Sequence, residues 1–188
     1  MSEKTWSQLE DEKYSWLYAG GYPKGNPEGL VSHYKIPKQS STIDLGCGLG
    51  SLSNHFGDYT GVDVSEFVVN KCKKSNPNGT YHHESLHRLE NFYDKTYDVG
   101  ISADVFEHIP PDEVDSVLRS ISKLDCSEFY FGISIRPSGI LDKDGGNLHL
   151  TLWDQATWVK KLQEYFEVVT HHRSTKMRGL IYVNARKK

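Results

Sequence analysis

The segment IDLGCGLG, residues 43–50, combines a carboxylate with a glycine-rich turn. Three glycines, Gly46, Gly48 and Gly50, occupy alternate positions, and Asp44 lies two residues before the first of them. Glycine permits a positive φ and lets the backbone approach a ligand closely, because no Cβ stands in the way. The free N–H groups at the start of a following helix suit an anionic group of a ligand. The segment therefore favours a ligand-binding turn, with a tight turn that binds nothing as the alternative.

A second carboxylate, Asp63, comes nineteen residues after Asp44 in the next apolar segment, YTGVDV. An acidic side chain at the end of a second strand can accept both ribose hydroxyls of a nucleoside. The glycines depart from the G-x-G-x-x-G pattern of dinucleotide-binding folds, because the third one comes a residue early, at Gly50. Asp44 would also repel a pyrophosphate, whereas it suits an ammonium group. We therefore expect a nucleoside ligand that has an ammonium group.

A third group of titratable side chains forms a D-x-x-E-H pattern, Asp104, Glu107 and His108, directly after a predicted strand. His149 lies farther along the chain, in a loop before the last predicted helix. If 104–108 forms a helical turn, Asp104 and His108 share one face. The four side chains can hold a divalent metal, or His108 can act without metal as a base or substrate contact. They can also be satisfied polar groups that orient a loop, and the residues leave these three interpretations open.

An alternation of predicted strands and helices must position these groups. Strands are predicted at 41–46, 59–64, 79–86, 97–104, 127–135, 167–172 and 179–186. Helices are predicted at 4–19, from residue 50, at 65–75 with Ser65 as N-cap, at 111–124 and at 154–166. This order indicates an α/β fold with a doubly wound, mostly parallel seven-stranded sheet. The last two strands are too close in sequence for a helical crossover, so we expect an antiparallel C-terminal pair.

Residues 1–38 precede the alternation and are predicted to be a helical segment followed by a glycine- and proline-rich loop at 18–29. Because the loop lies just before the core fold, it can close over a site as a lid or be an inert connection. The segment contains aromatic residues that either stack on a ligand or cap the sheet edge: Tyr14, Trp16, Tyr18 and Tyr22. We therefore divide the chain into this segment and a domain at 39–188.

Composition limits the partners of the protein. The 22 basic and 25 acidic residues give a formal net charge of −3, which attracts neither nucleic acid nor an anionic membrane as a whole. The sequence has no apolar run long enough to span a bilayer, and its N-terminus is too polar for a signal peptide. Cys47, Cys72 and Cys126 form neither a metal spacing nor a disulfide framework. We expect a cytoplasmic protein without membrane or nucleic-acid partners, and the oligomeric state is not determined by the sequence.

Three segments resemble one family. IDLGCGLG matches the first motif of class I S-adenosylmethionine-dependent methyltransferases, GVDVS matches their ribose-binding acid, and YDVGISADVFEHIP looks like their fourth-strand segment. The pattern extends from about residue 41 to 172. The resemblance implies a Rossmann-like methyltransferase fold and S-adenosyl-L-methionine as cofactor. For the methionine part of the cofactor, it places Asp44 near the ammonium and the turn against the rest: Gly46, Cys47, Gly48 and Gly50. It places Asp63 and Val64 at the ribose and Glu84 or Ser85 beside the adenine. It places Ser102 near the sulfonium.

The resemblance also implies the reaction. Methyl transfer is an in-line displacement that needs alignment and a dry site, and a base where the acceptor is a hydroxyl. We therefore expect methylation, with O-methylation preferred, of a small acceptor such as a sugar, nucleotide or metabolite, with His108 as the catalytic residue. Arg136, after the fifth strand, either meets an acidic substrate or is a surface charge.

Two alternatives remain open. Small-RNA 2′-O-methyltransferases use a similar E-x-x-E-H pattern with a distal histidine to bind metal. This chain has Asp in place of the first Glu, and the corresponding metal ligands would be Asp104, Glu107, His108 and His149. The chain would then be a metal-dependent methyltransferase for RNA or a nucleotide. The second alternative is a non-catalytic module that only binds S-adenosylmethionine.

Overall fold

The computed structural model describes residues 4–22, 25 and 27–188, so residues 23, 24 and 26 of the predicted 18–29 loop lie outside it. The strands are β1 (Ser41–Leu45), β2 (Asp58–Asp63), β3 (Thr80–His83), β4 (Thr96–Ala103), β5 (Asp125–Ser134), β6 (Phe166–Arg173) and β7 (Leu180–Lys187). The helices are α1 (Trp6–Ala19), α2 (Pro27–Tyr34), α3 (Glu66–Ser75), α4 (Val114–Ile121) and α5 (Gln155–Tyr165). None of the helices in these ranges is both long and apolar enough to span a bilayer.

The seven strands form one sheet in the order β3-β2-β1-β4-β5-β7-β6. β1 to β5 pair with one another in parallel, whereas β7 is antiparallel to both β5 and β6. This topology confirms the predicted fold class, including the antiparallel C-terminal pair. The strand order reverses between β1 and β4, and ligands of open α/β sheets bind beyond the carboxyl ends of the strands at such a point.

Helices cover the sheet on both faces, and the alternation along each strand divides the core in two. Ile43 and Leu45 of β1 pack into the core that contains α4 and α5. Asp44, between them, faces the other side, because successive side chains of a strand point to opposite faces. Its neighbour on that side is Tyr59 of β2, which belongs to the core that contains α2 and α3. The sheet therefore directs the Asp44 carboxylate away from the larger apolar core.

Two local predictions differ from the structure. The segment after the glycine turn forms only a 3₁₀ turn, Ser51–Asn54, because the Gly57 N–H bonds the Lys38 carbonyl and β2 then begins at once. α2 falls inside the segment predicted as loop and connection, and it begins with Pro27, a residue suited to the first turn of a helix. Ser65 caps α3 as predicted, since its side chain accepts a hydrogen bond from the Val68 N–H.

The turn after β1 requires glycine for a steric reason. Gly46 has φ +81°, and a Cβ placed on it would lie 2.5 Å from Cγ2 of Val105. The N–H groups of Gly46 and Cys47 both donate to the Val62 carbonyl, at 2.8 and 3.0 Å, which fixes the turn against the end of β2. The turn is therefore held in one conformation that a side chain would disrupt.

We expect Gly46→Ala to lower the free energy of unfolding by about 2–4 kcal/mol, because it combines left-handed backbone strain with overlap against Val105. Gly57→Ala is the matched control, since a Cβ at Gly57 meets no atom within 4 Å. Chemical denaturation of both variants measures the difference. Equal stability of the two variants would contradict the interpretation that the turn has no room for a side chain at Gly46.

Candidate active site

A cavity of about 460 Å³ opens at the carboxyl edge of the sheet. Its walls come from the β1 turn, the ends of β2, β4 and β5, the inner face of α1, and the loops before α5 and β7. The volume lies within the range of small-molecule pockets. The predicted ligand-binding turn and the D-x-x-E-H segment therefore open into one space.

Asp63 is buried and held in place by the glycine turn. Its Oδ2 accepts the Gly48 N–H at 2.9 Å, and its Oδ1 accepts the Ser65 N–H at 2.9 Å. Burial raises its pKa, and these two hydrogen bonds act in the opposite direction. A carboxylate has about four lone-pair positions, so both oxygens retain capacity for hydroxyl groups of a ligand.

Asp44 is almost completely buried, and its Oδ2 accepts the Tyr59 hydroxyl at 2.6 Å. Burial raises the pKa of Asp44 to about 7, opposed by that hydrogen bond and reinforced by the charges of Asp63 and Glu28. The carboxylate also lines the cavity. A positively charged ligand group beside it would favour the ionised form, since an opposite charge nearby lowers a carboxyl pKa.

Helix α1 lies over the same end of the cavity. Its Ser15 hydroxyl is 2.9 Å from the Ser65 hydroxyl, and its Ser7 hydroxyl donates to Ser85 at 2.9 Å. The Glu66 N–H donates to Oδ1 of Asp11 at 2.9 Å. These contacts fasten α1 across the ends of β2 and β3, so the N-terminal segment forms a wall of the cavity.

Three tyrosines from this segment line the cavity. Tyr22 makes edge contacts with Tyr14 and Tyr18, with ring centroids 6.3 and 5.3 Å apart. Tyr14 also meets the His108 ring edge-on at 5.8 Å. Trp16 instead lies on the outer face of α1 and is 52% exposed. The aromatic group predicted from the sequence therefore separates into a cavity wall and one surface residue.

Glu107, His108 and His149 form a compact group in which one ligand atom of each residue lies within 4.8 Å of the others. Glu107 is fully buried, and neither carboxylate oxygen has a hydrogen-bond partner among the described residues. Burial, reinforced by Asp104, raises its pKa well above the ordinary range. The main chain of Glu107 anchors the loop before α5, because its carbonyl accepts the N–H groups of Leu150 and Thr151 at 2.7 and 3.0 Å.

The two histidines have equivalent hydrogen bonds. His108 Nδ1 lies 2.9 Å from the Leu148 carbonyl, and His149 Nδ1 lies 2.5 Å from the Arg136 carbonyl. A carbonyl only accepts, so each Nδ1 bears a proton, and in a neutral ring Nε2 is then the nitrogen that has the lone pair. Burial, with a smaller contribution from His149, lowers the pKa of His108 to about 3, so this ring is neutral.

Asp104 lines the cavity but does not join this group. Its φ is +56°, and its N–H donates to the Gly132 carbonyl at 2.9 Å, so 104–108 is not one helical turn. Only Phe106–His108 forms a 3₁₀ turn. The expected shared face of Asp104 and His108 is therefore absent.

The residues predicted to bind the cofactor fall into two sets. Seven of them line the cavity: Asp44, Gly46, Cys47, Gly48, Asp63, Val64 and Ser85. The other three do not, each for a visible reason. A Cβ on Gly50 would point at Tyr81 and Cys72, the Glu84 carboxylate turns back to the Ser85 N–H and Arg88, and Ser102 is buried within β4.

Other lining residues were missed by the sequence analysis. Met177 and Arg178 enter the cavity wall from the loop between β6 and β7, and Glu10 enters from α1. That loop has no recognisable motif. The sequence allowed two roles for Arg136, a contact to an acidic substrate or a surface charge, and this residue also lines the cavity.

The buried Asp44 carboxyl makes a pH-dependent contribution to stability. Its pKa rises from 3.8 to about 7 on folding, so ionisation at higher pH costs the folded state on the order of 2–4 kcal/mol. This cost is absent below pH 4, grows as the pH rises and is complete above pH 7. We expect Asp44→Asn to match the wild type at pH 4 and to be more stable at pH 8.

Denaturation curves at several pH values test this expectation. Asp58→Asn, at an exposed carboxylate of the adjacent strand, removes the same charge and should leave the pH dependence unchanged. If the free energies of unfolding of Asp44→Asn and the wild type differed by the same amount at every pH, the cost of ionising a buried carboxyl at Asp44 would be refuted.

Comparison with known proteins agrees with this architecture. Residues 43–124 match the family model described as "Methyltransferase domain". No curated protein matches the chain by sequence.

Solved structures share the fold at low identity. The 1,6-didemethyltoxoflavin-N1-methyltransferase of Burkholderia thailandensis, with bound S-adenosylhomocysteine, is 15% identical with a TM-score of 0.69, over 100% of this chain and 93% of that one. The magnesium protoporphyrin IX methyltransferase of Synechocystis, also with bound S-adenosylhomocysteine, is 18% identical with a TM-score of 0.64, over 100% and 90%. The [4+2]-cyclase SpnF is 13% identical with a TM-score of 0.69, over 96% of both chains.

These identities show the fold alone, whereas the domain match covers the glycine turn, Asp63 and the D-x-x-E-H segment. Residues 43–124 are therefore similar to the methyltransferase-domain family, and the whole chain has the fold of solved S-adenosylmethionine-dependent methyltransferases.

Proposed function

We propose that this methyltransferase transfers a methyl group from S-adenosyl-L-methionine to a hydroxyl group of a small-molecule acceptor. One observation supports the proposal most directly: the Asp44–Asp63 end and the His108 end belong to a single cavity. A cofactor at the first end and an acceptor at the second would therefore meet inside the same enclosed space.

The residues at the first end suit the cofactor. Asp63 retains lone pairs for ribose hydroxyls, and the buried Asp44 lacks the positive charge that its ionised form would need. A Cβ at Gly48 would lie 2.8 Å from the Tyr18 hydroxyl, so only glycine leaves this part of the wall open. When bound, the cofactor supplies a methyl group on a positively charged sulfur, and Ser85 and Val64 would contact its nucleoside.

The covered cavity supports a small acceptor over a polymer. α1 and the three tyrosines close one side, and the loop before α5 closes another. The net charge of −3 gives no general attraction for nucleic acid. Tyr14 and Tyr22 offer flat apolar surfaces on which a ring could stack.

His108 supports the choice of a hydroxyl acceptor. Its Nδ1 is bonded to the Leu148 carbonyl, so the other nitrogen is a hydrogen-bond acceptor. We propose that Nε2 accepts the hydrogen bond of the acceptor hydroxyl and aims its oxygen at the methyl group. Transfer would then depend mainly on alignment in a water-poor site: a C–O bond would form as the C–S bond breaks, S-adenosylhomocysteine would leave, and the hydroxyl proton would pass to Nε2.

Cofactor binding provides a first test. Titration calorimetry should detect S-adenosylhomocysteine but not NAD, and the affinity should rise between pH 6 and pH 8 because Asp44 ionises in that range. Asp44→Asn should weaken binding about 10-fold at pH 8 and remove the pH dependence. Asp58→Asn is the control. A preference for NAD, or unchanged binding by Asp44→Asn, would contradict the assignment of this end.

The acceptor can be sought with methyl-labelled cofactor and fractionated metabolite extracts. We expect a labelled small product, with His108→Ala reducing its formation at least about 100-fold while the affinity for S-adenosylhomocysteine changes less than twofold. Cofactor binding with no product from any extract would favour the alternative of a module that binds without transfer.

A second candidate function is metal-assisted methyl transfer, and the unpartnered Glu107 supports it. Both histidines donate Nδ1–H to main-chain carbonyls, the arrangement typical of metal-binding imidazoles. One carboxylate and two imidazoles suit Mn²⁺ or Zn²⁺ better than Mg²⁺. A bound ion would polarise the acceptor oxygen. Asp104, outside the group, is not needed for this set.

Metal binding can be measured apart from activity. Chelator-treated protein titrated with Mn²⁺ should take up one ion per chain by electron paramagnetic resonance, and Glu107→Gln or His149→Ala should weaken uptake at least about 10-fold. His171→Ala, at an exposed histidine on β6, should bind as the wild type does. Absence of uptake by the wild type, or equal uptake by every variant, would remove the metal candidate.

A further inference from the structure

Two exposed arginines contribute to the wall of the cavity. Arg136 follows β5, and Arg178 lies in the loop before β7; both line the main cavity. Together with Met177 and Gly179 they also line a second, more open hollow of about 350 Å³. The main cavity therefore borders a small hollow, the arginine compartment, and both arginines line the two spaces.

The charges of the lining make this pair distinctive. Five lining residues are acidic: Glu10, Asp44, Asp63, Asp104 and Glu107. Among the described residues, Arg136 and Arg178 are the only lysines or arginines in the lining. Neither forms a salt bridge in the described part of the chain, whereas Arg186 pairs with Glu128 at 2.9 Å. Their positive charge is thus available to a ligand.

The loop before β7 packs closely against the Arg136 side chain. Gly179 has φ +78°, and a Cβ on it would lie 2.8 Å from Cδ of Arg136, so the Arg136 side chain packs where a larger residue would stand. The Ile135 N–H donates to the Gly179 carbonyl at 2.8 Å and joins the two loops.

A second set of contacts joins Arg136 to the reacting end. Its carbonyl accepts the hydrogen bond from His149 Nδ1 at 2.5 Å. Asn147 holds the same loop, because its Oδ1 accepts the N–H groups of Ser138 and His149 at 3.0 and 2.9 Å. The arginine compartment and the histidines are therefore parts of one connected structure.

We propose that the arginine compartment binds an anionic group of the methyl acceptor, a carboxylate or a phosphate, while the group to be methylated lies near His108. This inference rests on the proposed function, which supplies the second ligand of the cavity. Guanidinium groups bind both anions through paired hydrogen bonds. The acidic inner lining disfavours an anion there, so the charge distribution also orients the acceptor with its anionic end outward.

Binding of simple probes tests the proposal without a known acceptor. Benzoate and phenyl phosphate represent the two anions, and benzamide is the neutral analogue of benzoate. The full-length protein, with and without S-adenosylhomocysteine, is titrated with each probe by ligand-observed nuclear magnetic resonance. We expect at least one anion to bind about 10-fold more tightly than benzamide. The stronger of the two anions identifies the acceptor group.

Variants assign that preference to the arginines. Arg136→Gln and Arg178→Gln should each reduce the preference for the anion about 3-fold or more, and the double variant should abolish it. Arg173→Gln, at an exposed arginine of β6 outside both hollows, should retain the wild-type preference. Unfolding midpoints and S-adenosylhomocysteine affinity should be unchanged in all of them.

The proposal is overturned if no anion is preferred over benzamide, if the double variant keeps the preference, or if Arg173→Gln loses it equally. Failure of the wild type to bind S-adenosylhomocysteine is a separate result, which would refute the proposed function. An anion preference that the arginine variants abolish would then still establish the compartment as an anion site.

Discussion

The site depends on one constraint: three of its buried carboxyl groups have no ion-pair partner in the part of the chain that the structure describes. Asp44, Asp63 and Glu107 are all buried at the carboxyl edge of the sheet, and burial raises the pKa of each. Isolated carboxylates in a low-dielectric interior are costly unless they are paired or protonated. The described residues offset this cost at Asp63 through two N–H groups and at Asp44 through one hydroxyl. At Glu107 the cost is offset least, because neither oxygen accepts a hydrogen bond within the described chain.

A ligand that brings positive charge would stabilise the folded protein and bind tightly for the same reason. At the Asp44 end, a nucleoside with an ammonium and a sulfonium group would supply this charge, as we propose, and a cation held with two imidazoles would supply it at Glu107. The buried carboxyl groups lower the free energy of unfolding of the ligand-free protein. The same groups would raise its affinity for a positively charged ligand, and a ligand that binds only the folded state stabilises that state. Trade-offs of this type are common where function needs a destabilised site.

The parts of the site that the sequence predicts are those determined by short-range geometry. A strand followed by alternating glycines favours positive φ, and a strand places Asp44 and its neighbours on opposite faces. Asp44, Gly46, Gly48 and Asp63, predicted from these patterns to face a ligand, line one cavity. Asp104 was misplaced because a hydrogen bond to Gly132 of the neighbouring strand forces its φ positive, and a single-segment pattern does not contain that contact.

The acceptor end depends instead on contacts between distant segments, which is why the sequence left it open. Arg136 and Arg178 line the same hollow because β7 pairs antiparallel with β5, with Ser134 opposite Leu180. The cyclase and the two methyltransferases that share the fold show that one sheet accommodates different reactions and acceptors. In this chain the sheet and the first turn form the end of the cavity at which we propose that the cofactor binds. The loops after β5 and before β7 would then select the methyl acceptor. Because Arg136 and Arg178 form no salt bridge within the described chain, we expect this selection to depend on charge more than on shape.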